Sequence, residues 1–259
     1  MTLNIIGIGL GDEKDITLKG LELVKKSDLI YLEKYTSKLN CDLSKLEELY
    51  GKKIILANRE LVECQETKFP EHDRKSGFPT NKNEIIENSK NKEVAFLVIG
   101  DVFGATTHID ILQRAKKEGI KVNIVHNTSI LNAVSETGLS LYNFGKVTSI
   151  PFENKDVVSP IKVLEDNQKS GLHTLFLLDL KPDEEKFMSV NTAIEYLIKN
   201  KIDANTLSIA CCGLGSEKQI IKAGKLKDLK EKKFNIYPQC LIIPGKLHFI
   251  EEEYLKLFI

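Results

Sequence analysis

A chain of 259 residues carrying 37 basic and 37 acidic side chains has no formal net charge, so it lacks the bulk electrostatics that grip nucleic acid or an anionic membrane. With 42% apolar and 29% charged residues, it has the balance of a soluble globular protein with a substantial core, either one large domain or two smaller ones. Arg59, Arg74 and Arg114 are its only arginines, which disfavours a site built on planar guanidinium clamps.

No run approaches the roughly 20 apolar residues that a bilayer-spanning helix needs. The opening residues Met1-Thr2-Leu3-Asn4-Ile5-Ile6-Gly7 have no basic leader and read directly into a strand, unlike a signal peptide. Cys41, Cys64, Cys211, Cys212 and Cys240 are odd in number and form no CxxC pair. That pattern argues against a disulfide framework or a zinc site, and makes a reducing cytoplasm the expected compartment.

Residues 3–8 are a short apolar run that ends in glycines, expected as a strand. Residues 17–26 place apolar side chains at 18, 21, 23 and 24, the spacing of an amphipathic helix that Asp15 or Thr17 can cap. Further strands are expected at 29–32, 54–57, 94–99 and 122–125. Helices are expected at 43–50 behind Asp42, at 84–89, and at 106–118 before Gly119. Near-continuous apolar strands separated by helices indicate crossovers and a parallel sheet covered on both faces. Between 63 and 83 the chain turns polar, with Pro70, Gly77 and Pro79, and reads as a long surface loop.

Beyond residue 126 the texture changes. Strand-like runs at 147–151, 173–180, 207–212, 218–223 and 240–244 lie closer together, with helices near 160–169, 190–199 and 248–258. Gly213-Leu214-Gly215-Ser216 is short enough for a hairpin. The expected architecture is α/β in two domains, 1–126 around a parallel sheet and 127–259 around a mixed one.

Three loops follow strands of the first domain. Gly7-Ile8-Gly9-Leu10-Gly11-Asp12 resembles a dinucleotide fingerprint, with Glu33 positioned to hold a ribose. However, Asp12 replaces the last small residue, and five residues separate Gly11 from Thr17, so no helix terminus presses against a pyrophosphate. No GK[ST] follows, which excludes a P-loop. Gly100-Asp101-Val102-Phe103-Gly104 follows the most apolar strand, and Asp101 could accept hydrogen bonds from a ligand or simply cap the next helix. His126-Asn127-Thr128-Ser129-Ile130 is a third loop on the same edge, where ligands of open parallel sheets bind. Carboxylates Asp12 and Asp101 without an arginine suit a cationic or hydroxylated ligand. No hydrolase triad or HExxH pattern is present.

Taken together these segments resemble the diphthine synthase family, a branch of the tetrapyrrole-methylase-like S-adenosylmethionine enzymes. The resemblance rests on IIGIGLGDEKDITLKG (5–20), YLEKYTS (31–37), GDVFGATTHID (100–110), VHNTSILNAV (125–134), GLSLYNFGKVTSIP (138–151), GLHTLFLLDLK (171–181), MSVNTA (188–193) and PGKLHFIE (244–251). It implies an N-terminal five-stranded parallel sheet, a C-terminal mixed sheet, a cofactor cleft between them, and a homodimer. It also implies S-adenosyl-L-methionine contacts at Leu10, Asp101, Gly104, Ser129, Ile130, Leu180, Leu214 and Gln239, with S-adenosyl-L-homocysteine as product. The family usually has Pro where Val102 stands and commonly His where Gln239 stands.

The activity implied is methylation of the amino group of 3-amino-3-carboxypropyl-histidine in translation elongation factor 2, giving diphthine. An activated methyl needs an in-line approach at about 3–3.5 Å and a neutral amine, so a general base is optional. Asp101 is expected to orient the cofactor and take no proton. Two alternatives stay open at this point: a corrinoid or porphyrin-precursor methylase of the same superfamily, and a nicotinamide-dependent dehydrogenase using Gly7–Gly11 and Glu33.

Overall fold

The computed structural model describes residues 1–63 and 83–259; the loop expected between 63 and 83 lies outside them apart from its two end residues. The described chain forms two compact units, Met1–Ser129 and Ile130–Ile259.

The first unit is built on strands β1 (Thr2–Gly7), β2 (Leu29–Glu33), β3 (Ile55–Ala57), β4 (Glu93–Val98) and β5 (Lys121–Val125). They lie in the order β3-β2-β4-β1-β5 with every neighbour parallel. The connecting helices are α1 (Leu18–Lys26), α2 (Leu43–Tyr50), α3 (Arg59–Glu63), α4 (Glu84–Ser89) and α5 (Ile109–Lys117). Thr17 caps α1, its hydroxyl accepting from Gly20 N at 3.0 Å. The terminus of α5 falls before Gly119, which takes the left-handed φ of +70° that a Cβ resists.

Alternation along the central strands sorts their side chains onto two covered faces. Leu3, Ile5, Phe96 and Val98 pack with Ile111, Leu112 and Ala115 of α5. Ile6, Ala95 and Leu97 pack with Val24 of α1 and Leu46 of α2. Each such aliphatic or aromatic side chain stabilises the fold by roughly 1.5–3 kcal/mol on burial. Because α1 carries β1 to β2 over one face and α5 carries β4 to β5 over the other, the chain leaves these adjacent strands in opposite directions. A crevice is therefore expected beyond their carboxyl ends.

The second unit contains β6 (Thr148–Ile150), β7 (Thr174–Leu178), β8 (Leu180–Lys181), β9 (Lys186–Phe187), β10 (Leu207–Cys212), β11 (Ile220–Lys225) and β12 (Gln239–Ile243). Its main sheet runs β11-β10-β12-β7-β6, and β6–β7 is the parallel pair in it. Helices α6 (Ile130–Ala133), α7 (Ser159–Lys169), α8 (Val190–Lys199), α9 (Leu226–Lys230) and α10 (Phe249–Leu255) complete it. The parallel sheet and the mixed sheet are those expected. Two details differ. The hairpin joining β10 to β11 is longer than the expected four residues, because the ladder closes at Cys212 opposite Ile220. A small hairpin of β8 and β9 interrupts the chain after β7, too short for a periodicity to announce.

Candidate functional site

The carboxyl edge of the first sheet gathers the three glycine-bearing or polar loops. Gly9 and Gly100 form an isolated antiparallel bridge, with Gly100 N donating to Gly9 O at 2.8 Å and Gly9 N to Gly100 O at 3.2 Å. The turn after β1 is thus locked to the turn after β4. Gly100 sits at φ +86°, and a side chain there would enter the space beside Leu10 Cδ2 and the Thr128 carbonyl. Gly104 is held against Ser129, whose Cβ would lie 2.5 Å from any Cβ at 104. Leu10, Asp101, Gly104 and Ser129 therefore occupy one backbone-lined edge.

Asp101 is the tie among these loops. Its Oδ1 accepts from Phe103 N at 2.9 Å and Gly104 N at 3.1 Å. Its Oδ2 accepts from Asn127 N at 3.0 Å and meets His126 Nδ1 at 2.9 Å. A carboxylate offers about four acceptor positions, and all are engaged within the chain. Burial pushes the carboxyl toward neutrality, yet the amides of Phe103 and Asn127 and the His126 ring outweigh it and hold Asp101 below the usual aspartate range. These contacts join the loops around Asp101, and its carboxylate does not cap the next helix. The residue preceding α5 is His108.

Two other acids at this edge accept from backbone amides of their own turn. Asp15 Oδ2 accepts from Leu10 N at 3.2 Å and Gly11 N at 2.7 Å, and Asp12 Oδ1 accepts from Lys14 N at 2.8 Å. These contacts shape the turn after β1. Asn127, which the sequence did not single out, closes the arrangement by donating to Gly7 O and Asp15 O, both at 3.0 Å. Its position as the second residue after β5 was the available signal.

Glu33 is fully buried and holds no ribose. Its oxygens accept from Tyr35 N, Thr36 N, Thr36 Oγ1 and Ile99 N, joining the ends of β2 and β4. Burial raises its pKa against the lowering pull of those donors. With Glu33 occupied and α1 starting at Leu18, the dehydrogenase alternative loses both of its supports. Nearby, burial against Phe96 and Tyr35 brings His108 down to about 4, so it stays neutral at physiological pH.

Leu180, Leu214 and Gln239 lie toward the same end of the second sheet. Gln239 begins β12 opposite Cys212, and Gly213 N donates to Pro238 O at 2.7 Å, which brings the Leu214 turn beside it. Leu180 follows β7, paired to β12 from Leu177 opposite Cys240, and its N donates to Asp179 Oδ1 at 2.9 Å. The Gln239 side chain is consumed internally. Oε1 accepts from Val190 N at 2.7 Å, while Nε2 donates to the Phe234 and Ile236 carbonyls. Ile130 is the first residue of α6 and opens the second unit.

Backbone closely lines the first edge. A Cβ at Gly7 would strike the Gly100 carbonyl oxygen at 2.6 Å, so only glycine lets the turns after β1 and β4 approach this closely. No group of three His, Cys, Asp or Glu suited to a metal occurs among the described residues.

A doubly covered parallel sheet with a glycine cradle at its switch point, followed by a mixed-sheet unit, defines an α/β methylase. Residues 2–230 match the family described as Tetrapyrrole (Corrin/Porphyrin) Methylases. The diphthine synthase of Methanococcus maripaludis strain C6 is 42% identical, over 98% of this chain and 97% of that protein. The diphthine methyl ester synthase of Dictyostelium discoideum is 41% identical, over 100% and 98%. A crystal structure of diphthine synthase superposes with a TM-score of 0.88 at 33% identity, covering 100% of this chain and 96% of its own. The chain belongs to the diphthine synthase family and is an S-adenosylmethionine-dependent methyltransferase of diphthamide biosynthesis.

Proposed function

We propose that the chain binds S-adenosyl-L-methionine with the Gly9–Gly100 edge as its cradle and methylates the amino group of 3-amino-3-carboxypropyl-histidine on translation elongation factor 2. The observation that carries this reading is the bridge between the two glycine turns, which leaves Leu10, Asp101, Gly104 and Ser129 around one backbone-lined edge. When bound, the cofactor supplies a sulfonium methyl already activated for transfer. Leu10 and Ser129 supply contacts on either side of Gly100, and Gly104 leaves room for Ser129. Asp101 contributes its backbone and fixes both neighbouring loops, in keeping with an orienting role and no proton transfer. Ile130, Leu180, Leu214 and Gln239 complete the set, and Gln239 takes part through its main chain because its amide is spent elsewhere.

The partner is a protein and no nucleic acid, in keeping with zero net charge. Among the described residues no helix is long and apolar enough to cross a membrane, and a cytoplasmic location fits the unpaired Cys41, Cys211, Cys212 and Cys240. A homodimer is supported by Phe249, Ile250, Leu257 and Ile259, all more than half exposed at the C-terminal end.

Transfer of radiolabelled methyl to elongation factor 2 bearing the carboxypropylated histidine, with unmodified factor as control, tests the reading. Incorporation into the modified factor alone is expected; equal labelling of both, or of neither, overturns it. Calorimetry should show S-adenosyl-L-homocysteine binding and none for NAD.

A further inference from the structure

His126 projects from the end of β5 at the same edge, and its side chain remains 68% exposed although its ring is fixed. Nδ1 lies 2.9 Å from Asp101 Oδ2, and the Phe103 ring packs against it edge-on with centroids 6.0 Å apart. The Asp101 carboxylate cannot turn away, because the amides of Phe103, Gly104 and Asn127 hold it. A carboxylate only accepts, so the proton of the neutral imidazole must sit on Nδ1. Nε2 is then left with a free lone pair at the edge where the methyl donor is proposed to lie. Asp101 thus spends its charge on orienting a base and on pinning the loops.

We infer that His126 is the proton acceptor for the substrate amine, with Asp101 as its positioning residue. The inference rests on the proposed methylation of an amine. The substrate ammonium gives one proton to His126 Nε2, and the imidazolium formed is held by Asp101. The freed nitrogen lone pair forms the bond to the methyl carbon as the carbon–sulfur bond breaks, its electron pair passing to sulfur. The product nitrogen is again cationic, and the exposed imidazolium returns its proton to water. Each further methylation, up to the point where nitrogen carries no proton, requires the same step.

His126→Gln tests this, because an exposed side chain can be replaced without opening the core. General bases typically contribute 10²–10⁴-fold, so kcat near pH 7 should fall by about 10²-fold while affinity for S-adenosyl-L-homocysteine stays at the wild-type value. Near pH 9.5, where a free amine increasingly deprotonates by itself, the deficit should shrink several-fold, and added imidazole should restore part of the rate near pH 7. Independently of turnover, long-range nitrogen–proton NMR of the ligand-free chain should find the proton on Nδ1 of His126, and Asp101→Asn should abolish that preference. Wild-type kcat in His126→Gln, or an equal deficit at both pH values, overturns the assignment. A wild-type chain that binds S-adenosyl-L-homocysteine yet methylates no amine overturns the reaction itself, and the assignment with it.

Discussion

Gly104 shows how much at this edge is decided by single atoms. An alanine there would bring its Cβ to 2.5 Å from Ser129 Cβ and 2.7 Å from its hydroxyl oxygen, so Ser129 or the turn must move. Overpacking of this kind costs about 1–3 kcal/mol. If the displaced Ser129 contacts the cofactor, Gly104→Ala should weaken S-adenosyl-L-homocysteine by roughly tenfold, measured calorimetrically, and unchanged affinity would remove Gly104 and Ser129 from the site. Glu33 makes the converse case. Glu33→Gln replaces an acceptor oxygen with a donor amide facing backbone N–H groups, so urea unfolding should lose about 1–3 kcal/mol while cofactor affinity is kept. The sequence placed Asp101 and Glu33 at strand ends, where both indeed lie. It could not say that their oxygens face inward, because that depends on donors 25 to 66 residues away, Asn127, His126 and Ile99.

At the scale of elements, legibility followed length and periodicity. The helix Leu43–Tyr50 and the strand Leu207–Cys212 fall where their apolar spacing put them. The five-residue helices α3 and α9 and the two-residue strands β8 and β9 carry too few residues for a period to emerge. Gln239 illustrates what joins such pieces. Its side chain ties the start of β12 to Val190 at the head of α8 and to the Phe234 and Ile236 carbonyls of the segment entering the strand. Gln239→Ala leaves three backbone groups without these partners in a buried setting, a cost of about 2–4 kcal/mol from unsatisfied donors and acceptors. Thermal unfolding should therefore fall by several degrees, and methyl transfer at temperatures below the transition should persist, since only the main chain of Gln239 is proposed to touch the cofactor. A stable but inactive Gln239→Ala would mean that the amide itself does the binding.

Across the molecule, each unit carries a carboxylate whose charge is held by backbone amides, and this sets how the chain responds to acid. Asp101 plays that part in the first unit. In the second, burial opposes the ionisation of Glu251, but the amides of His248 and Ser140, each donating at 2.8 Å, and the His173 ring hold it below the usual glutamate range. His173 Nδ1 accepts from Gly245 N, so its proton lies on Nε2 and points at Glu251. For both acids the folded chain binds a proton less readily than the unfolded one. Their stabilisation is present above the unfolded values of about 3.9 and 4.3 and is lost as pH falls through the lower folded values. Glu33, raised by burial, works in the opposite sense and softens the loss. Glu251→Gln should lower stability at neutral pH by about 2 kcal/mol through the lost charge-assisted bonds. It should also flatten the acid limb, so that wild type and variant converge in urea unfolding as pH is taken from 7 to 3. An acid limb as steep in the variant as in wild type would show that Glu251 carries no linked proton.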